Sequence, residues 1–237
     1  MSRGLLSPRK AWWCVALAVV GATPALAFPP YRSTDADTAD PYALEVRLGL
    51  VKWQREGGED EVVTPLLRAN LGLPSKLELI AEFEYLPKDE SFADGAVGFK
   101  WVPLFGGVSF GIETLALMPV RRDDSGVGVE SQLVATLWRD EFRVHVNAGG
   151  FHDDRPSQSE SGWRASTLVE FPRGRVRPGL EIFAKQANGE EVDMRLGGGV
   201  IVGLGRFDVR SGLHLGLTDA APDVVFNLWI ATKLSLR

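Results

Sequence analysis

The side chains best suited to proton transfer near neutral pH are three histidines, His145, His152 and His214. A histidine within hydrogen-bond reach of a serine is the elementary pair of nucleophilic catalysis, the imidazole taking the proton as the hydroxyl attacks. His145 and His214 fall at one alternation parity with many charged residues, and serines such as Ser131, Ser166 or Ser211 are candidates to meet them in space. No catalytic set is assigned from this, because polar residues at that parity are expected without catalysis. Gly197-Gly198-Gly199 resembles a phosphate-cradling run but sits inside a strand pattern, where glycine more often marks a bend or a close backbone approach. There is no GxxxxGK[ST], no GxGxxG between a strand and a helix, no GxSxG and no HExxH. Acidic clusters at Glu56, Glu59, Asp60 and Glu61, at Asp123-Asp124 and at Asp153-Asp154 have no EF-hand spacing and read as solvated loops. No cofactor, metal site or enzymatic activity is expected.

The elements that must position these residues are strands. Leu44, Val46, Leu48 and Leu50 alternate with Glu45, Arg47 and Gly49, and Leu77 to Tyr85 alternates with Glu78, Glu82 and Glu84. Phe142, Val144, Val146 and Ala148 alternate with Arg143, His145, Asn147 and Gly149, and the pattern persists through Phe207–Leu217 and Val224–Leu236. Successive strand side chains point to opposite faces, so each segment has one apolar face and one polar or glycine-rich face. Such segments fall near 42–53, 62–72, 77–86, 94–103, 107–118, 127–138, 141–151, 162–171, 175–185, 192–203, 206–217 and 223–235. Each is about ten residues long, the length a tilted strand needs to cross a bilayer.

Short links at 73–76, 139–140, 172–174 and 204–205 alternate with longer polar ones at 54–61, 87–93, 120–126, 152–161, 186–191 and 218–222. Outer-membrane barrels have this rhythm, with short periplasmic turns and longer outer loops. Aromatic residues near the predicted strand ends (Tyr42, Trp53, Tyr85, Trp101, Trp138, Phe142, Trp163, Phe171 and Phe207) match the interfacial girdles of such a barrel. The fold class is therefore all-β, an antiparallel up-and-down transmembrane β-barrel of about twelve strands.

About eight strands already give a filled interior, so a wider barrel needs a polar or hydrated lumen, and the charged parity is placed inside. The lumen-lining candidates are Glu45, Arg47, Glu82, Glu84, Lys100, Glu113, Glu130, Arg143, His145, Arg164, Glu181, Arg195, Asp208, Arg210 and His214. The opposite parity is nearly free of charge, as lipid contact demands.

Arg3, Arg9 and Lys10, the apolar run Ala11–Gly21 and Ala25-Leu26-Ala27 read as a secretory signal over residues 1–27, cut after Ala27. Cys14 leaves with it, so no cysteine remains in the mature chain. The signal carries three of the 26 Lys and Arg and none of the 31 Asp and Glu, leaving a formal charge of −8 (23 against 31). An acidic chain without a basic cluster argues against nucleic-acid binding. Residues 28–41, rich in Asp, Thr and Ala and without periodicity, are expected as a flexible lead-in, and 42–237 as the barrel. Phe28 to Asp40 is also the segment placed to fold back into the lumen as a partial plug.

Pro30-Tyr31-Arg32-Ser33-Thr34-Asp35-Ala36-Asp37, followed by Pro41-Tyr42-Ala43-Leu44-Glu45-Val46, resembles the start of the phenol-degradation meta-pathway transporters. These are similar to outer-membrane barrels of the hydrocarbon and fatty-acid channel type. The chain departs from the usual barrel ending, closing on Leu234-Ser235-Leu236-Arg237 rather than on Phe or Trp. The resemblance implies passage of small, apolar or aromatic solutes through the bacterial outer membrane, with membrane lipid and solute as partners. The alternatives are a structural barrel with a blocked lumen, a lipid hydrolase, since some outer-membrane barrels hydrolyse lipid with His and Ser, and a soluble periplasmic ligand-binding barrel.

Overall fold

The computed structural model describes residues 29–87, 91–118, 126–154 and 159–236. The expected signal with Cys14, Phe28 and the Asp123-Asp124 pair lie outside the described residues. The strands are β1 (Ala43–Glu56), β2 (Glu59–Val63), β3 (Leu66–Leu73), β4 (Leu77–Leu86), β5 (Ser91–Leu104), β6 (Val108–Met118) and β7 (Gly128–Trp138). They continue as β8 (Arg143–Asp153), β9 (Glu160–Glu170), β10 (Val176–Ala187), β11 (Asp193–Leu204), β12 (Phe207–Gly216) and β13 (Val224–Ser235). Every neighbour is antiparallel, and β13 returns to pair with β1 from Ala43↔Ser235 to Arg55↔Val224, closing the barrel. Closure pairs the staves around the circumference, the condition for a sheet to stand in hydrocarbon; only the short β2, at the long-loop end, is paired on one side alone among the described residues. No described helix is long and apolar enough to cross a membrane.

β2 and β3 together form one stave, so the wall has twelve. The break falls at Thr64-Pro65, where proline has no amide for the ladder. Thr64 N–H donates to the Tyr85 carbonyl at 2.9 Å and Tyr85 N–H to the Pro65 carbonyl at 3.1 Å, so pairing with β4 continues across the break. The register of β1 with β13 shifts opposite it, between Gly49 and Val51. The long link expected at 54–61 is instead a hairpin: β1 runs on to Glu56, Gly57 and Gly58 turn with φ of 56° and 87°, and Glu56 pairs Glu59. Glycine supplies the left-handed turn there, and a sequence dense in charge had masked a strand extension.

The outer face is apolar. Leu133 (67% exposed), Leu180 (62%), Val146, Leu196 and Leu213 point outward at mid-wall. An apolar surface of this extent fits lipid and not water, which removes the soluble-barrel alternative. Trp101, Phe171 and Phe207 are exposed near the short-turn end and Trp163 near the long-loop end, as girdle positions. Trp138 is not one of them. It shares the inward parity of Thr136, donates from Nε1 to Ser109 Oγ at 2.9 Å and meets His145 edge-on.

The inner face is more mixed than a purely charged lining. Ile80, Ala96, Leu115 and Leu117 form one buried cluster, and Ala36, Val102 and Val134 another. The core therefore lies inside the barrel, around the N-terminal segment.

Candidate functional site

The lead-in is not a flexible extension of the barrel. Pro29–Ala39 lies inside it, with Tyr31, Ser33, Thr34, Ala36 and Ala39 buried, and Asp40 emerges at the short-turn end. Irregular backbone away from water must have its amides satisfied, and here wall side chains do so. Ala39 N–H donates to Glu78 at 2.6 Å, Ala36 N–H to Thr136 Oγ1 at 2.7 Å, and Thr34 N–H to Asn147 Oδ1 at 2.7 Å. The Asn147 amide returns a bond to the Thr34 carbonyl at 2.9 Å, so the pair acts like a backbone bridge. Ser33 Oγ donates to Ser166 Oγ at 2.8 Å, and the amides of Arg32 and Ser33 converge on the Glu181 carboxylate at 2.9 and 2.5 Å. Pro29 and Pro30 have no amide to satisfy, and their carbonyls accept from Arg210 at 3.3 Å and Asn227 at 3.1 Å. Read from Ala39 back to Pro29, the partners progress from β4 through β7, β8, β9 and β10 to β12 and β13. The segment thus follows the inner wall around most of its circumference.

Glycines make room for it. Gly179, Gly199 and Gly212 lie side by side in register across β10, β11 and β12. A Cβ on Gly199 would stand 2.9 Å from Pro30 Cγ and from Tyr31 Cε1, and one on Gly179 2.7 Å from the Tyr31 hydroxyl oxygen. The Gly197–Gly199 run is thus strand wall. Its last glycine admits the lumenal segment, and Gly197 admits the His214 ring.

The charged residues picked from the sequence face inward and fall into groups. At the short-turn end Glu45 accepts from Arg47 and from Arg210, both at 2.9 Å, and Arg210 also reaches Asp208 at 3.2 Å. Across β3–β6, Arg68 binds Glu82 and lies 3.3 Å from Glu113, while Lys100 sits 3.6 Å from Glu113 and 3.3 Å from Asp35 of the lumenal segment. On β7–β9, Arg164 binds Glu130, and His145 bridges Thr136 at 2.9 Å and Glu170 at 3.2 Å, with Arg143 4.0 Å from Glu170. His214 is 2.8 Å from Glu181, and Arg195 pairs Asp193 from Nε at 2.7 Å. Lys52 reaches Glu84 at 3.1 Å near the long-loop end. Breaking one partner from such buried pairs strands a charge, at about 3–5 kcal/mol.

The lumenal histidines do not meet the serines proposed for them. His145 and His214 take threonine and carboxylate partners, Ser166 binds the lumenal segment, and Ser131 and Ser211 have the outward parity. Of the acidic clusters, Asp60 pairs Arg55 at 2.9 Å and Glu61 binds Gln54, while Asp153 turns inward and Asp154 outward to His152. Several residues central to the lumen were not singled out from the sequence: Arg68, Thr136, Gly179, Gly212 and Asn227. Their inward parity was readable, but the alignment of the glycines across three strands needs the register.

Above the segment, on the long-loop side, Arg32, Lys52, Glu84, Arg195, His214 and Trp229 line a cavity of about 40 Å³. That holds little more than water. The Arg32 guanidinium lies 4.5 Å from the Phe183 ring centre, and its Nε has no hydrogen-bond partner among the described residues.

No protein-family model matches the sequence, and no curated protein sequence matches it. Among solved structures the chain is similar to the KdgM porin, at TM-score 0.60 and 11% identity over 80% of this chain and 98% of that one. It is also similar to the NanC porin, at TM-score 0.61 and 8% identity over 81% of this chain and 100% of that one. At such identities the likeness establishes the fold, a closed twelve-stave antiparallel barrel of porin type.

Proposed function

We propose that this chain is a channel of the bacterial outer membrane for small solutes, with Pro29–Asp40 as a plug that must move for solute to pass. The observation that carries this reading is the way the plug is held. Its contacts run through wall side chains, to its backbone or to its own side chains, with no strand pairing to the wall among the described residues, so it can leave while the barrel's ladder stays intact. Some polar atoms buried with it, the Tyr31 hydroxyl and Arg32 Nε, have no partner among the described residues, so docking is incomplete as well as local. Outer-membrane location is supported by the apolar belt, the short-turn and long-loop rhythm, the expected signal and the likeness to two porins.

The resemblance to phenol meta-pathway transporters suggests an aromatic solute. The cavity above the plug agrees in character, with Trp229, Val225 and Leu66 beside Arg32, Lys52 and Arg195. Apolar and cationic side chains together are the chemistry a small phenolic acid would meet, once plug movement enlarges the present space of about 40 Å³. The second reading, a structural barrel with a blocked lumen, is favoured by the tight fill around Glu113, which is 0% exposed.

The two are separated by liposome swelling with the refolded mature chain and a variant lacking residues 29–40, using a small sugar, an amino acid and a small phenolic acid. The channel reading expects the deletion to raise permeability, with the phenolic acid fastest. Insertion of both proteins with no permeation by any solute would overturn it in favour of the structural barrel.

A further inference from the structure

Three polar side chains meet on the outer wall at the long-loop end. His152 on β8 and Ser161 on β9 are direct cross-strand partners at the long-loop end, both with outward parity. Ser161 Oγ lies 2.7 Å from His152 Nδ1, and His152 Nε2 lies 3.2 Å from Asp154 Oδ2, just beyond the end of β8. The tautomer that satisfies both contacts has its proton on Nε2, donated to Asp154, and a free Nδ1 lone pair that accepts from the serine hydroxyl. This is the nucleophile, base and orienting carboxylate of a hydrolytic triad, recognised by geometry and role rather than by sequence order. Hydrogen bonding from Ser159 and the neighbouring His152 hold the Asp154 carboxyl below its usual range, so it is anionic when it orients the ring.

The surroundings provide a place for a substrate. An open groove of about 480 Å³ runs beside the triad, bounded by Val129, Ser131, Trp163 and Asn188. Its floor is Gly150, where the absent side chain leaves a depression between Ser131 and Trp163, its partners across the sheet. Trp163 is fixed by its Nε1 bond to Gln186 at 3.0 Å. Asn188, which lines the groove, is anchored by its backbone N–H to the Ser161 carbonyl at 2.8 Å. Below the groove the wall turns apolar through Val129, Leu133 and Val146, all exposed.

We infer that Ser161, His152 and Asp154 form a catalytic site on the outer wall that hydrolyses a long-chain carboxylic ester of a lipid in the surrounding leaflet. The strand end sits at the boundary where lipid ester groups lie, and the acyl chain runs down the apolar wall. Ser161 Oγ attacks the ester carbonyl as His152 takes its proton. The tetrahedral oxyanion collapses, the C–O bond to the alcohol breaks, and His152 returns the proton to the leaving lysolipid. Water, deprotonated by His152, then attacks the acyl-Ser161 ester; the bond to Ser161 Oγ breaks, His152 returns the proton to that oxygen and the fatty acid leaves, so one ester and one water give one acid and one alcohol. The site does not depend on an open lumen.

The test uses the refolded mature chain in mixed micelles with phospholipid in one arm and lipopolysaccharide in the other, measuring fatty acid released. A fluorophosphonate probe reports the nucleophile. The wild-type chain is expected to release fatty acid in at least one arm, which identifies the lipid source, and to be labelled at Ser161. S161A and H152A should lose about 10³-fold or more, and D154N at least about 10-fold. S211A, an outward serine of β12 far from the groove, should match wild type. Each variant is checked for the migration shift of a folded barrel before boiling. No release from either lipid, activity confined to a short soluble ester, or hydrolysis that survives in S161A would each overturn the assignment and leave a cross-strand polar pair.

Discussion

Replacing Glu181 with alanine is the sharpest perturbation of the plug. Its carboxylate accepts the amides of Arg32 and Ser33 at 2.9 and 2.5 Å and the His214 ring at 2.8 Å. Glu181 is 1% exposed, so water does not replace it readily. Removing it strands two buried amide donors at about 1–3 kcal/mol each, so docking of the plug weakens by about 2–6 kcal/mol. At 1.4 kcal/mol per decade, the ratio of released to docked plug rises by about 30-fold to 10⁴-fold. Two assays read this ratio independently. Amide hydrogen exchange at residues 32–36 should speed up while the barrel ladder stays protected, and single-channel recordings should show a higher open fraction. E181Q keeps an acceptor oxygen and should fall at the lower end of the range. Exchange that is unchanged in a folded E181A barrel would refute the energetic argument. Faster exchange without added conductance would refute the plug as the gate.

Other perturbations test separate parts of the reasoning. S33C/S166C joins positions whose hydroxyl oxygens are 2.8 Å apart. With no other cysteine expected in the mature chain, oxidation should hold the protein closed and a reductant should restore wild-type conductance. G199L should expel Pro30 and Tyr31 from the wall, since even its Cβ would lie 2.9 Å from both, raising conductance with an unchanged migration shift on boiling. L133R places a charge at mid-wall on the lipid face and should cost about 2–4 kcal/mol, measured as the shift in denaturant midpoint on refolding into vesicles. Asp40 bonds Lys233 at 2.9 Å at an exposed site, and that bond holds its carboxyl below the usual range. Its contribution is present above the ordinary carboxylate pKa and lost as pH falls through the lowered one. D40N should therefore cost no more than about 1 kcal/mol at neutral pH, and nothing in strong acid, by the same refolding assay.

The barrel was legible because its evidence repeats. Leu77–Tyr85 and Phe207–Leu217 each show the period of two, and a dozen such segments with alternating links leave little else they could build. What escaped was local. Charge at Glu56–Glu61 looked like a loop, although Gly57-Gly58 provides a two-residue turn and Arg55 pairs Asp60 across the hairpin. Trp138 looked like an interfacial aromatic, but parity with Thr136 aims it inward to Ser109. Parity within a strand is readable from sequence; which rung of the next strand it faces is not.

That distinction also explains the two candidate sites. The lumen was visible as a class of residues, because Glu113, Lys100 and Glu181 all carry the inward parity. The plug site was not, because it exists only when Gly179, Gly199 and Gly212 share a register line and when Asn147, Ser166 and Glu181 stand at the heights of successive plug amides. The triad on the outer wall escaped for the same reason. His145 and His214 drew attention because their parity was rich in polar partners, yet a buried histidine in a lumen full of carboxylates is satisfied by them. His152 and Ser161 lie on the sparsely polar face and on two different strands, so only their pairing in register reveals that they touch. On an alternating barrel, a polar residue at the lipid parity carries more information than one at the lumenal parity, because hydrocarbon makes it costly and the lumen does not.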